Sequence, residues 1–116
     1  MTEEIEIEAS REVFEAELAD SLLKKSWGLS MRKEGKMLFV FGFEERPPID
    51  MMLVQRPLNL YFLDDEKKVV DVQYAEPWSF DPRTWRIYRP SVDSSFLLES
   101  FEDLELEEGD QLRFDV

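Results

Sequence analysis

The chain has 116 residues, of which 43% are hydrophobic and 35% charged, so one folded domain spanning residues 1–116 is the simplest organisation. It contains no Cys and no His, which excludes disulfides, thiolate nucleophiles, Ser-His-Asp triads and most transition-metal sites. The composition still allows catalysis by carboxylates, Lys or Tyr, and it allows binding of Mg²⁺ or Ca²⁺ through oxygen ligands. We expect no metal, because the acidic run at residues 64–66 lacks the alternating ligands and the Gly of a calcium loop. We expect no cofactor, because the sequence contains no Walker or dinucleotide-binding pattern.

The net charge of −13 is concentrated at the two ends of the chain. Residues 1–20 and residues 99–116 each contain eight acids and one Arg, whereas the middle is nearly neutral. The acidic ends indicate a role in keeping the protein soluble, and the alternative is that they bind a basic protein partner. The negative net charge predicts that the protein binds neither nucleic acid nor an anionic membrane surface. The longest apolar run, residues 37–43, is far shorter than the ~20 residues of a membrane helix. The N-terminus does not resemble a secretory signal, so we expect a cytoplasmic protein.

The first part of the chain predicts two strands and one short helix. Ile5 and Ile7 alternate with Glu, so residues 1–10 are expected to form a frayed segment or an edge strand. Residues 12–19 fit both strand alternation and a helical stripe, and we interpret them as a strand. A short helix is predicted over residues 21–27, because Asp20 is a good N-cap and Gly28 is placed to end it.

The middle of the chain predicts a buried strand followed by a hairpin. Residues 37–43 are apolar on both faces, which is typical of a central strand with Phe39 and Phe41 in the core. Residues 44–48 are expected to form a loop, and the Met-rich residues 51–54 to pack in the core rather than line an apolar ligand pocket. Residues 58–63 predict a strand, residues 64–67 a hairpin loop, and residues 68–74 the returning strand.

The last third predicts shorter elements. A strand is expected over residues 84–88, an apolar segment over residues 96–101, a turn over residues 107–110, and a closing segment in which Leu112 and Phe114 face inward. The seven or eight short strands predict a mainly β fold, as a compact β-sandwich or a partly closed barrel with one short helix near residues 21–27.

Several short motifs of a known sequence family occur in a fixed order along the chain. An "AE-x-A-D" strand followed by "GL-x-x-R" corresponds to AELAD at residues 16–20 and GLSMR at residues 28–32. The "G-x-MLFVF" motif corresponds to GKMLFVF at residues 35–41, and "PLD-x-x-F-x-D" to PLNLYFLD at residues 57–64. Pro77, the Leu98-Glu99 pair and the Gly109-Asp110 pair follow in the same order. Together these motifs resemble the family called domain of unknown function 192, and the similarity spans about residues 13–114.

The resemblance implies a compact, mainly β fold with little helix, a strand over residues 12–19, and no assigned reaction. Two departures are visible in this chain. Where many members carry a polar "FWMKNT" segment, residues 49–54 read IDMMLV, and Asn59 replaces the acid of "PLD". If the polar segment forms a site in other members, the resemblance implies that this site is altered or absent here.

Residues 77–90 form the one unusual segment, with two of the three Trp and three closely spaced Arg. Rigid rings and guanidinium groups are typical of binding surfaces. The alternative is structural, with the rings covering the core and the Arg side chains paired with the acidic ends. In a strand over residues 84–88, Trp85 would be the core anchor and Arg86 and Tyr88 would point outward. The candidate ligand-binding residues are Trp78, Arg83, Trp85, Arg86, Tyr88 and Arg89.

The function that the sequence favours is a non-catalytic domain that uses this segment to bind a small anion or a protein. The alternative is a carboxylate-dependent enzyme acting on a carbohydrate or a phosphorylated substrate, which would need two carboxylates across a cleft. Carboxylates are plentiful, but their spacing in the sequence singles out no pair. We therefore expect no enzyme and assign no catalytic residue.

Overall fold

A computed structural model of the protein describes residues 3–19, 34–45, 49–51 and 54–116. Its strands are β1 (Glu4–Glu8), β2 (Val13–Ala19), β3 (Lys36–Glu45), β4 (Leu58–Leu63), β5 (Val69–Ala75) and β6 (Ser94–Ser100), and a short 3₁₀ helix covers Pro82–Thr84. They form one sheet in the order β1-β2-β3-β6-β4-β5. Strands β2 and β3 are parallel and the other neighbours are antiparallel.

Apolar side chains form a core on each face of the sheet, because successive side chains of a strand point to opposite faces. The first core includes Leu38, Leu98 and residues of the C-terminal segment such as Leu112 and Phe114. The second core lies on the opposite face and contains these buried residues: Ala19, Met37, Phe39, Met51, Val54, Leu58, Leu60, Phe62, Ala75, Leu97 and Phe101. Residues 78 and 88 are packed against this second core.

Several predictions from the sequence are confirmed. The fold is mainly β, β1 and β2 form where alternation predicted them, and β4 and β5 form the predicted hairpin. Phe39 is buried while Phe41 is only partly buried, and Met51 and Val54 are core residues. Gly109 adopts a φ of +97° within the predicted turn, a conformation that glycine tolerates best.

Other expectations need correction. The strands of the described residues number six rather than seven or eight, and they form one open sheet rather than a partly closed barrel. Glu44 and Glu45 extend β3 instead of beginning a loop. The closing segment makes isolated bridges at Gln111 and Arg113, and Leu112 and Phe114 are buried, as predicted. The helix predicted over residues 21–27 lies outside the described residues.

We expect Phe39→Ala to lower the melting temperature by more than about ten degrees. Phe39 is 5% exposed in the second core, and truncating a buried Phe costs ~3–5 kcal/mol of folding free energy. Phe80→Ala is the matched control, because Phe80 is fully exposed. Thermal unfolding followed by circular dichroism measures both, and equal melting temperatures for the two variants would contradict the placement of β3.

Candidate functional site

The candidate segment lies over the second core, next to the edge strand β5. Two backbone hydrogen bonds join Ile49 and Tyr88, with N···O distances of 2.7 and 2.8 Å. The Gln73 side-chain amide on β5 donates to the carbonyl of Arg89 at 2.6 Å. The Asp71 carboxylate accepts from the backbone N–H of Ser91 at 2.9 Å. The C-terminal end of the segment is therefore held by backbone hydrogen bonds to Ile49 and by side-chain hydrogen bonds to β5.

The 3₁₀ helix at Pro82–Thr84 replaces the start of the strand predicted over residues 84–88, and this changes which rings are buried. Asp81 caps the turn by accepting from the backbone N–H of Arg83, and Pro82 suits the first helical position. Trp85 is consequently 53% exposed, so its predicted role as core anchor is wrong. Trp78 and Tyr88 pack against the second core instead, although Tyr88 was predicted to point outward.

Both indole rings are held by the backbone of their own segment. The Trp78 Nε1–H donates to the carbonyl of Arg86 at 3.0 Å, and the Trp85 Nε1–H donates to the carbonyl of Ser79 at 2.8 Å. The two ring centroids lie 6.2 Å apart with a 31° tilt. Such bonds fix the ring positions before any ligand arrives, which lowers the entropy lost on binding.

The three Arg side chains have different surroundings. Arg83 donates to both carboxylate oxygens of Asp81, with Nη2–Oδ2 at 2.7 Å, and this contact holds the pKa of Asp81 below its usual value. Among the described residues, the guanidinium groups of Arg86 and Arg89 form no ion pair. The pairing of the three Arg side chains with the acidic ends, which belonged to the structural alternative, is thus not seen in the described part of the chain.

Glu99 is a buried acid on the same face of the sheet. It lies on β6 opposite Met37 of β3 and Leu60 of β4, and it is 5% exposed. Burial, and secondarily the negative charge of Asp50, raise the pKa of Glu99 to about 8. Asp50 is exposed and lies between Ile49, which is bonded to Tyr88, and the buried Met51.

Glu99 entered the prediction from sequence only through the Leu98-Glu99 motif and was not selected as a candidate site residue. The available signal was its position directly after the apolar run Phe96–Leu98, where one acid interrupts a strand that is buried along its whole length. At neutral pH a carboxyl group with this pKa is mostly protonated and acts as a hydrogen-bond donor. Within the described part of the chain, no three acidic side chains are grouped to hold a metal ion, and no helix is long and apolar enough to cross a bilayer.

Comparison with known proteins finds one matching family and several similar proteins. A model of the family domain of unknown function 192, described as "Uncharacterized ACR", matches residues 4–114. A UPF0127 protein of Pyrococcus abyssi is 33% identical over 86 residues, which cover 72% of this chain and 68% of that protein. A UPF0127 protein of Thermococcus gammatolerans is 31% identical over 108 residues, which cover 86% of this chain and 66% of that protein. The match therefore spans about two thirds of the length of each relative.

Two crystal structures share the fold. One is a protein of unknown function from Novosphingobium aromaticivorans, with a TM-score of 0.78 and 20% identity over 97% of this chain and 84% of that one. The other is from Sinorhizobium meliloti and is described as a candidate transcription regulator, with a TM-score of 0.80 and 18% identity over 97% of this chain and 95% of that one. At these identities the likeness shows the fold alone.

The pKa of Glu99 predicts that folding stability falls as pH rises from about 4.5 to about 8. In this window folded Glu99 keeps a proton that the unfolded chain has released, so the folded state binds more protons and loses stability with rising pH. Below this pH range Glu99 is protonated in both the folded and the unfolded chain, and above it Glu99 is ionised in both. Its contribution to folding stability therefore changes only within the range. Glu99→Gln removes this titration, so its stability relative to the native protein should rise between pH 5 and pH 8.

Denaturant unfolding at pH 5 and pH 8 measures this difference. Glu108→Gln, which changes an exposed acid in the 107–110 turn, is the control and should follow the native protein at both values. If the difference between Glu99→Gln and the native protein is the same at both pH values, Glu99 is not protonated in the folded state.

Proposed function

We propose that this chain, which belongs to the family domain of unknown function 192, is a non-catalytic binding domain that holds a protein partner on the outer surface of residues 78–89. The family membership confirms the resemblance found in the sequence, and the family description names no reaction. We further propose that residues 1–116 act as one domain in the cytoplasm, where a chain without Cys needs no oxidising environment.

The observation that carries the proposal is the exposure of three apolar side chains on one segment whose backbone is held by hydrogen bonds. Phe80 is fully exposed, and Trp85 and Ile87 are each about half exposed. Burying an apolar side chain is favourable, and these side chains remain in water in the free protein. A partner that covers them would therefore gain binding free energy. The hydrogen bonds of the 3₁₀ turn and of both indole rings hold this surface in place in the free protein.

Charge supports a partner that combines apolar side chains with carboxylates. Arg86 and Arg89 lie on the same segment, and their guanidinium groups can form bidentate bonds with carboxylates. Arg83 contributes less, because a ligand would have to displace Asp81. The net charge of −13 disfavours nucleic acid, and the exposed rings favour a protein over a small anion.

We expect an acidic peptide with alternating Glu and Leu to shift the Trp85 indole N–H signal in a saturable NMR titration. The same peptide with Lys in place of Glu is the matched ligand control and should bind more weakly. A Phe80→Ala/Arg86→Ala/Arg89→Ala variant should lose the shift, whereas Val13→Ala, at an exposed valine on β2, should keep it. If neither indole signal moves and the triple variant keeps every partner captured by the native protein, the segment is only structural.

A carboxylate-dependent enzyme is the second candidate function, and the environment of Glu99 favours it. Burial raises the pKa of Glu99 to about 8, as is typical of the general acids of hydrolases, which must hold a proton at neutral pH. Hydrolysis of nitrophenyl glycosides or phosphates that is lost in Glu99→Gln but survives in the triple variant would favour the enzyme over the binding domain.

A further inference from the structure

Strand β1 forms one end of the sheet, and only one of its edges is paired along its length. On the paired edge, Glu3 accepts from the N–H of Leu18 at 2.8 Å, and Ala9 donates to the carbonyl of Glu12 at 2.9 Å. The odd-numbered residues therefore direct their backbone groups toward β2, because backbone groups alternate between the two edges of an antiparallel strand.

The other edge is occupied at one end only. The backbone N–H and carbonyl of Glu8 bond with Arg113 at 2.8 and 2.9 Å. By the same alternation Glu4 and Glu6 present their backbone groups to this outer edge, where no backbone group of the described residues bonds to them. Unpaired N–H and carbonyl groups on an edge strand are a template for an added strand.

A cavity of about 350 Å³ lies along this edge. It is lined by Ile5, Glu6, Glu8, Arg113, Phe114 and Asp115. Phe114 is buried and packs edge-to-face on Phe96 with centroids 5.1 Å apart, so this wall is fixed by the first core. Ile5 is partly buried and offers an apolar contact beside the open backbone groups.

The charges along the hairpin identify the chemistry of the strand that would fit. Glu4 lies directly opposite Glu17, and Glu6 lies directly opposite Glu15. Like charges in directly opposite positions destabilise a sheet. A hydrogen bond to Glu15 and the negative charge of Glu15, with smaller contributions from burial and from Glu17, raise the pKa of Glu4 above its usual value. A strand with Lys or Arg at alternate positions would place cations beside these acids and relieve the repulsion. A second copy of β1 would add more Glu, so the same charges disfavour self-pairing.

We propose that the outer edge of β1 binds an extended peptide with basic residues at alternate positions, as an additional antiparallel or parallel strand between Glu4–Glu6 and the C-terminal segment. This mode combines main-chain hydrogen bonds with side-chain selection. It is independent of the surface at residues 78–89, which lies beside β5 at the opposite end of the sheet.

The test is an NMR titration of the full chain with a Lys-Val repeat peptide. We expect the amide signals of Glu4 and Glu6 to shift saturably and their hydrogen exchange to slow. A matched peptide N-methylated at alternate residues keeps its charge but loses the backbone bonds of one edge, and it should bind about tenfold more weakly. Equal binding by the two peptides would mean charge attraction alone and would overturn the proposal.

Protein variants separate this edge from the rest of the acidic surface. Glu4→Lys/Glu6→Lys should weaken binding at least as much as N-methylation does, whereas Glu108→Lys, in the exposed 107–110 turn, should change it little. Both proteins are checked for native circular dichroism first, and Glu4→Gln/Glu6→Gln serves as a milder pair if the reversed charges disturb folding. Unchanged binding in the β1 variants, or edge shifts that depend on protein concentration without peptide, would overturn the proposal, the latter in favour of a second copy.

Discussion

The burial of β6 is the constraint on which the rest of the sheet depends. All seven of its residues are buried, and it pairs with β3 on one side and β4 on the other. It therefore joins the half of the sheet formed by β1, β2 and β3 to the hairpin of β4 and β5. Its side chains serve both cores, with Leu98 in the first and Leu97 in the second. The strand has a buried Ser at each end, and a buried hydroxyl group needs a hydrogen-bond partner. The Ser100 hydroxyl donates to the carbonyl of Glu102 at 2.7 Å.

Glu99 is the exception within this strand. An apolar residue between Met37 and Leu60 would fill the same space without the cost of removing a carboxyl group from water. Its presence lowers stability at neutral pH, so the stability of the sheet does not explain it. Glu99 lies near residues 49–51, because the negative charge of Asp50 contributes to its raised pKa. Ile49, next to Asp50, is hydrogen-bonded to Tyr88. Glu99 and the rings of Trp78 and Tyr88 thus lie on the same face of the sheet, and residues 49–51 lie near both.

The sequence predicts this fold well where one periodicity dominates. Alternation in β1 and β2, the apolar run in β3 and the hairpin of β4 and β5 are all visible in the residues. The order of strands is not visible, because the pairing of β6 between β3 and β4 depends on contacts between distant parts of the chain. The sequence placed the candidate site on residues 77–90, but it did not reveal that Asp81 and Pro82 form a capped turn there, which breaks the alternation assumed for Trp85 and Tyr88. Glu99 could be suspected only from the apolar residues that precede it.

Because β6 links both halves, the account requires that the sheet unfold as one cooperative unit. Native-state hydrogen exchange of backbone amides, measured as a function of low denaturant concentration, tests this directly. The most protected amides of β6 should exchange with the same free energy as their partners in β3 and β4, equal to the free energy of global unfolding. If the β4–β5 hairpin exchanges as a separate unit while β1–β3 stays protected, then β6 does not hold the two halves together.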